Sequence, residues 1–369
     1  MTDQIGVAII GPGKVAHTHA RALATIPGSR LVAVCGRTPE RTQAFADQYG
    51  ARAYTALDDL LGDSDVDAVI LCTPHPQHAA QAIQSIDAGK HVLVEKPLAT
   101  TVADCDRIIA ATHANGVTLG VISQRRLYAP VQRLKHAIDA GKIGKPVLAT
   151  MSVLGWRSSE YYAMDPWRGT WDGEGGGVLV NQAVHQLDLL CWLMGPVVEV
   201  FGYHTNLNHP TIEVEDTAVA VVRFAQGAPD GALGSIVASN SQNPGLHGNV
   251  HIHGSNGASV GVQTEGSSMF ISGVTTEVDP PINDLWTIAG EADLLPQWQA
   301  EDRDLARSID IMEAYHQQQI ADFIEAIVEG RAPLVTGEDG RAAVALFEAI
   351  YRSQRDGRPI RIDPPDLSP

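Results

Sequence analysis

The first third of the chain is predicted to form a parallel, doubly wound α/β sheet, and three observations carry that expectation. Short apolar runs alternate with helical patterns from residue 5 to residue 94. The first run, residues 5–10, leads directly into Gly11-Pro12-Gly13-Lys14-Val15-Ala16. The last, residues 91–94, ends on Glu95-Lys96-Pro97. That places a lysine at the carboxyl end of a strand, where open α/β sheets bind ligands.

The elements follow in order. GPGKVA has the GxGxxA spacing of a dinucleotide turn. Gly11 permits the tight bend, Gly13 lets backbone approach a pyrophosphate, and Ala16 allows close packing of helix on strand. The helix beginning near Lys14 presents amide groups that attract phosphate. A second strand over 31–35 is followed by a helix over 39–49. A third strand spans 68–72 and a helix spans 78–88. The second strand ends Cys35-Gly36-Arg37-Thr38, with Arg41 one helical turn on, and no carboxylate stands at the tip to bind the ribose 2′-hydroxyl of NAD. Gly36 leaves room, and Arg37, Thr38 and Arg41 suit a 2′-phosphate. NADP is therefore favoured over NAD, although the same residues would also serve as a solvated helix start.

Composition narrows the function classes. The 369 residues are enough for two domains, and 44% hydrophobic content supports a substantial core. A net charge of -17 argues against nucleic acid or an anionic membrane as the main partner. No apolar run approaches the length of a membrane span. The N-terminal stretch has no basic region ahead of its first strand, so a secretory leader is not expected. Cys35, Cys72, Cys105 and Cys191 are widely spaced with no CxxC pair, which fits a reduced, cytoplasmic protein.

Lys96 at a strand tip can bind a substrate hydroxyl or stabilise an oxyanion, or it can be a lysine reaching out to solvent. A second constellation lies in GEGGGVLVNQAVHQLDLLCWLMG, residues 173–195. Asn181, His185 and Asp188 recur at helical spacing and are expected to share one polar face. His185 titrates near neutrality and is a natural general acid/base, whereas Asn181 orients but carries no proton. The alternative is a helix whose polar face bonds neighbouring backbone.

Together GPGKVA, CTPHPQHA (72–79), EKP and GGGxLxNxxxHxxDxxxWLxG resemble the Gfo/Idh/MocA oxidoreductases, the group of glucose–fructose oxidoreductase and inositol dehydrogenase. The resemblance covers nearly the whole chain. It implies an α/β Rossmann domain plus a C-terminal α+β domain with a large, mostly antiparallel sheet, here residues 1–124 and 125–369. It also implies a homodimer or homotetramer formed on the open sheet face. Lys96 matches the family's catalytic lysine and His185 its acid/base. Asn181 falls where many members have Asp, so the proton route would rest on His185 and Lys96. Thr73, Pro74, His75, His78, Glu95, Lys96 and Gln124 match the cofactor-binding positions, beside Gly11, Pro12, Gly13, Lys14 and Val15.

The segment from Trp156 to Asp172 is rich in Trp, Tyr and Arg and resembles a loop leading into a pocket. Aromatic faces pack on sugar C–H groups, and arginines donate to hydroxyl pairs or carboxylates. Arg126, Arg157, Tyr161 and Arg168 are the expected substrate contacts, with Asn181 and His185. An interface segment would have the same composition. His251 and His253 share a strand face, but nothing completes a ligand set there, and no metal is expected. His17 is expected near the cofactor, residues 280–296 are expected to be a loop or flap, and 315–329 and 340–354 read as helices.

The expected activity is an NAD(P)-dependent dehydrogenase acting on a secondary alcohol of a sugar, sugar derivative or cyclitol. The alternatives are a glycosidase using tightly held NAD for transient oxidation, a reductase of a non-sugar carbonyl, and a sensing regulator without turnover. Retention of both Lys96 and His185 counts against the regulator. If Arg37 and Arg41 read a 2′-phosphate, NADP binds more tightly than NAD in a direct titration; equal or tighter binding of NAD refutes the arginine argument.

Overall fold

The computed structural model describes residues 4–226, 231–266 and 280–363. They form two compact units. One comprises Met1–Gln124 with Asp310–Arg341, the other Arg125–Ile309 with Ala342–Pro369.

In the first unit, β1 (Ile5–Ile10), α1 (Lys14–Leu23), β2 (Ser29–Cys35) and α2 (Pro39–Tyr49) match the expected first half. There follow β3 (Arg52–Tyr54), α3 (Leu57–Leu61), β4 (Ala68–Leu71), a 3₁₀ turn over His75–Gln77, α4 (His78–Asp87), β5 (His91–Val94), α5 (Val102–Asn115) and β6 (Leu119–Val121). The strands are all parallel, in the order β3-β2-β1-β4-β5-β6. The order reverses between β1 and β4, which is the point where open α/β sheets bind ligands. Val7, Ile9, Ile70 and Leu93 are buried, as expected of parallel strands covered on both faces.

The second unit carries α6 (Ala129–Asp139), β7 (Pro146–Leu154), α7 (Ser159–Ala163), α8 (Trp171–Glu174), α9 (Val178–Asn181), α10 (Val184–Met194), β8 (Val197–Thr205), β9 (Thr217–Phe224) and β10 (Leu233–Ser239). Then come β11 (His247–Gly254), β12 (Ser259–Gly266), β13 (Ile282–Trp286) and α11 (Leu294–Ser308). Its eight-stranded sheet runs β13-β12-β11-β7-β10-β9-β8-β14, with β14 at Ile360–Arg361. Only the β7–β10 pair is parallel, so the sheet is mostly antiparallel. The strand β13 and the start of α11 replace the loop expected over 280–296. A five-residue strand whose residues run buried, buried, exposed, half-buried and buried is too short and too irregular to show a period. His251 bonds Asp284 Oδ2 at 2.7 Å and His253 bonds Ser259 Oγ at 2.8 Å.

Among the described residues, two further helices follow, α12 (Ile311–Glu329) and α13 (Gly337–Asp356). The sequence reading placed 310–341 with the second domain; these residues instead belong to the first unit. Ile320, Phe323 and Ile324 of α12 are buried in one cluster with Val7, Ile9, Ile70 and Leu93. An apolar stripe at spacings of three and four shows that a helix is covered, but not by which sheet. Among the described residues, no helix is long and apolar enough to cross a membrane.

The glycine turn ahead of α9 is held by one buried acid. A Cβ at Gly177 would lie 1.8 Å from the Glu215 carbonyl oxygen. The Glu215 carboxyl accepts from Gly177 N at 2.9 Å, Leu179 N at 3.0 Å and the Tyr351 hydroxyl at 2.8 Å. Burial outweighs these donors and pushes the carboxyl up to about 7. Burial, with the adjacent Glu215 second, also raises the Tyr351 hydroxyl well above its ordinary value.

Two outcomes are expected. Phe323→Ala removes a ring from the first unit's core and should cost about 3–5 kcal/mol, read as a lower urea midpoint. Glu215 has a folded-state pKa above its unfolded one, so its stabilising contribution is complete below about pH 4.5 and is lost as pH rises through about 7. Thermal melts between pH 5 and 8 should show this fall, on the order of 3 kcal/mol at most, and Glu215→Gln should flatten it. Parallel curves for the two proteins would refute the assignment.

Candidate active site

The cofactor half of the site lies on the first unit. Gly11, at the end of β1, has φ +96°, and a Cβ there would stand 2.8 Å from Thr73 Cγ2 and 2.9 Å from the Cys72 carbonyl oxygen. Only glycine fits this approach. Gly13 is the N-cap of α1 and provides no side-chain cap, so the first amides of the helix are left for an anion. Pro12 packs under the end of β2, where a Cβ on Gly36 would meet its ring at 2.7 Å and Thr42 Oγ1 at 2.5 Å. Lys14, Arg37, Thr38 and Arg41 are exposed, and Val15 is half-buried. The loop fits a dinucleotide: a glycine turn without a Cβ, uncapped helix amides and cationic side chains beyond the second strand.

The remaining positions expected to bind cofactor divide into two kinds. Thr73 donates its hydroxyl to Gln81 Oε1 at 2.6 Å, and His75, next to Pro74, sits buried in the 3₁₀ turn. Gln124 is buried too. His78 and Glu95, by contrast, are used internally. The His78 ring bonds the Pro97 carbonyl through Nδ1 at 2.8 Å and the Thr73 carbonyl through Nε2 at 2.9 Å. The neutral ring donates to one carbonyl and lies against the other, and His78 thereby joins two loops. Glu95 is buried against His19 Nε2 at 2.7 Å and accepts from the Lys96 amide at 3.2 Å. His17, expected near the cofactor, bonds the Tyr49 hydroxyl at 2.9 Å. Lys96 is half-buried one residue past the Glu95 that anchors its amide, and its peptide bond to Pro97 is cis.

The second unit gathers Arg157, Tyr161, Arg168 and Asn181 about one phenol. The Tyr161 oxygen accepts from Arg168 Nη1 at 2.6 Å, Asn181 Nδ2 at 3.3 Å and Gln182 Nε2 at 3.4 Å. The Arg168 guanidinium lies 4.4 Å from the centroid of the Tyr161 ring and Arg157 lies 5.2 Å from it, a double cation–π contact. Arg168 also donates to Asp165 at 3.1 Å. Asn181 donates to Glu174 as well, whose other oxygen accepts from Gly169 N at 2.7 Å. Sequence reading missed Glu174 and Gln182. The one local signal was an acid immediately ahead of the Gly175–Gly177 run.

Asn181 and His185 do not share a continuous helix. Ala183 N bonds Val178 O, five residues back, at 2.8 Å, and α10 begins only at Val184. This wide, π-type turn separates Asn181 from His185, a kind of distortion common at functional sites. His185 is half-buried at the start of α10. Arg126, expected to contact substrate, is committed elsewhere. It is 2% exposed and bonds Asp188 through Nε at 2.9 Å and Nη2 at 2.6 Å. It also covers the Trp192 ring at 5.3 Å. A buried carboxylate met by this fork fixes α10, and with it His185, three residues before Asp188.

Comparisons with known proteins identify the family. Residues 5–123 match the model of an oxidoreductase family with an NAD-binding Rossmann fold, and residues 131–260 match the GFO/IDH/MocA C-terminal domain. The crystal structure of the WlbA dehydrogenase from Bordetella pertussis in complex with NADH and UDP-GlcNAcA is similar at TM-score 0.85 and 34% identity, covering 98% of each chain. The myo-inositol 2-dehydrogenase of Thermotoga maritima is 28% identical over 97% of this chain and 98% of its own. The scyllo-inositol 2-dehydrogenase (NAD(+)) of Bacillus subtilis is 27% identical over 98% of both. With a glycine turn that fits a dinucleotide, a lysine at the β5 tip and matches through both domains, the chain belongs to the Gfo/Idh/MocA family of NAD-binding oxidoreductases.

Proposed function

We propose that the protein is a nicotinamide-dependent dehydrogenase moving a hydride to or from a secondary alcohol carbon of a sugar, sugar derivative or cyclitol. The observation that carries this reading is the Tyr161 cluster, in which two guanidinium groups and two amides are organised about one phenol on the segment that leads to His185. Arg157 and Tyr161 are buried and brace the cluster, while the half-buried Arg168 and Asn181 offer preoriented donors that suit a polyhydroxylated ring. The substrates in the names of the relatives, UDP-GlcNAcA and inositols, support the same class.

The bound dinucleotide supplies or accepts the hydride at its nicotinamide ring. Gly11, Pro12, Gly13, Lys14 and Val15 would hold its pyrophosphate, with Gly36, Thr73, Pro74, His75 and Gln124 shaping the remaining cradle. Arg37, Thr38 and Arg41 favour NADP, although the WlbA structure carries NADH and the scyllo-inositol relative is named for NAD(+). Lys96 polarises the reacting oxygen. His185 takes the hydroxyl proton in oxidation and returns it in reduction. Asn181 cannot carry a proton, so it orients the hydroxyl. Arg157, Tyr161 and Arg168 set the ring's position.

The four cysteines are free thiols, which supports a reducing, cytoplasmic setting. Tyr203, Val219 and Val221 are exposed on one face of neighbouring strands, which supports assembly with further copies of this chain.

The test follows reduced-nicotinamide absorbance while the protein meets NADP or NAD with a panel of pyranoses, nucleotide-linked sugar acids, glycosides and inositols. Lys96→Ala should lower turnover by about 10²–10⁴ with cofactor affinity held within about twofold. Unchanged turnover in the variant defeats the role given to Lys96. Tight cofactor binding without turnover on any polyol would favour a sensor, and release of a leaving group from a glycoside without net change in free cofactor would favour the glycosidase.

A further inference from the structure

The first unit buries three metal-ligating side chains that the reaction does not use. His19 comes from α1, Glu95 from the end of β5 and His316 from α12, and their ligand atoms lie within 4.8 Å of one another. His19 Nε2 is 2.7 Å from Glu95 Oε1, and His316 Nε2 is 3.7 Å from the same oxygen. All three are buried.

The His316 ring is the informative one. Its Nδ1 lies 2.5 Å from the Met312 carbonyl oxygen, an acceptor, so Nδ1 carries a proton. In the neutral ring this makes Nε2 the lone-pair nitrogen, aimed at a carboxylate oxygen. At 3.7 Å the two are too far apart for a hydrogen bond. The distance suits two ligands of one ion, since a tetrahedral metal with bonds of about 2.0–2.1 Å holds its ligand atoms about 3.4 Å apart. An imidazole whose other nitrogen donates to a backbone carbonyl is also the usual orientation of a metal-bound histidine.

We propose that His19 Nε2, His316 Nε2 and Glu95 Oε1 form a binding site for a divalent cation of the zinc class. Two imidazoles and one carboxylate suit Zn²⁺ over the harder cations. Seating the ion moves the His19 proton from Nε2, where it meets Glu95, to the buried Nδ1, opens the 2.7 Å His19–Glu95 contact and draws His316 inward, so that all three atoms reach one centre. A solvent molecule completes the coordination. The ion takes no part in hydride transfer. It neutralises Glu95 and ties together α1, which starts at the phosphate loop, α12, and the residue that anchors the Lys96 amide.

The test uses full-length protein stripped with chelator and titrated with Co²⁺, with metal content measured in parallel. One equivalent of Co²⁺ should bind with visible d–d absorption, be displaced by Zn²⁺, and bind about 10–100-fold more weakly in His316→Gln and His19→Gln. Binding of reduced nicotinamide, followed by fluorescence, should survive in both variants and show that they are folded. Substoichiometric binding, or equal binding in wild type and variants, overturns the proposal. X-ray absorption of the zinc-loaded wild type needs no variant. A first shell with two imidazole nitrogens supports the site, and an all-oxygen shell overturns it. If the wild type holds no metal and ¹⁵N spectra show the His316 ring protonated on both nitrogens, a proton occupies the place assigned to the ion and the proposal fails.

Discussion

A carboxylate taken out of water must be met by donors, and this constraint sets where the site's side chains stand. Glu95 anchors the Lys96 amide, Glu174 engages the Asn181 amide, Glu215 holds the glycine turn ahead of α9, and Asp188 is gripped by Arg126 three residues past His185. Lys96, Asn181 and His185 thus each stand near a buried acid; Glu95 and Asp188 draw their partners from 76 and 62 residues away, whereas Glu174 is held by its own segment. The acids stay inside because removing one partner of such a pair strands a buried charge.

The same constraint bears on the departure at Asn181. The family resemblance implies an acid where this chain has an amide. Here Glu174 lies against that amide, and the Tyr161 hydroxyl lies beyond it. An acid stands one side chain back, in a group that is 1% exposed. A buried acid in that position can polarise the Asn181 amide. The wide turn at Ala183 then lets Asn181 and His185 leave the helical register that a continuous helix would impose.

Legibility in the sequence tracked locality. The apolar runs of the parallel sheet, the glycine turn and the strand-tip lysine were readable because each is set by a handful of consecutive residues. The helices over 39–49 and 78–88 were readable for the same reason. The edge strand β13 was not, because five residues with an irregular burial pattern carry no period. Arg126 looked like a substrate ligand because arginine beside a strand end is common at ligand sites. Its fork is instead filled by Asp188, 62 residues away. His78 looked like a cofactor ligand and proved to bridge two carbonyls.

The sequence alone therefore determined the fold class, the phosphate-binding turn, the lysine at the β5 tip and the family, since periodicity and motif spacing are written in neighbouring residues. Only the tertiary structure decided which buried polar groups meet. His19 reaches Glu95 across 76 residues, Glu215 reaches Gly177 across 38, and α12 packs on the first sheet instead of the second. Local pattern states that a side chain is buried, whereas its partner is fixed by the packing of whole elements, where every buried donor and acceptor must be satisfied at once.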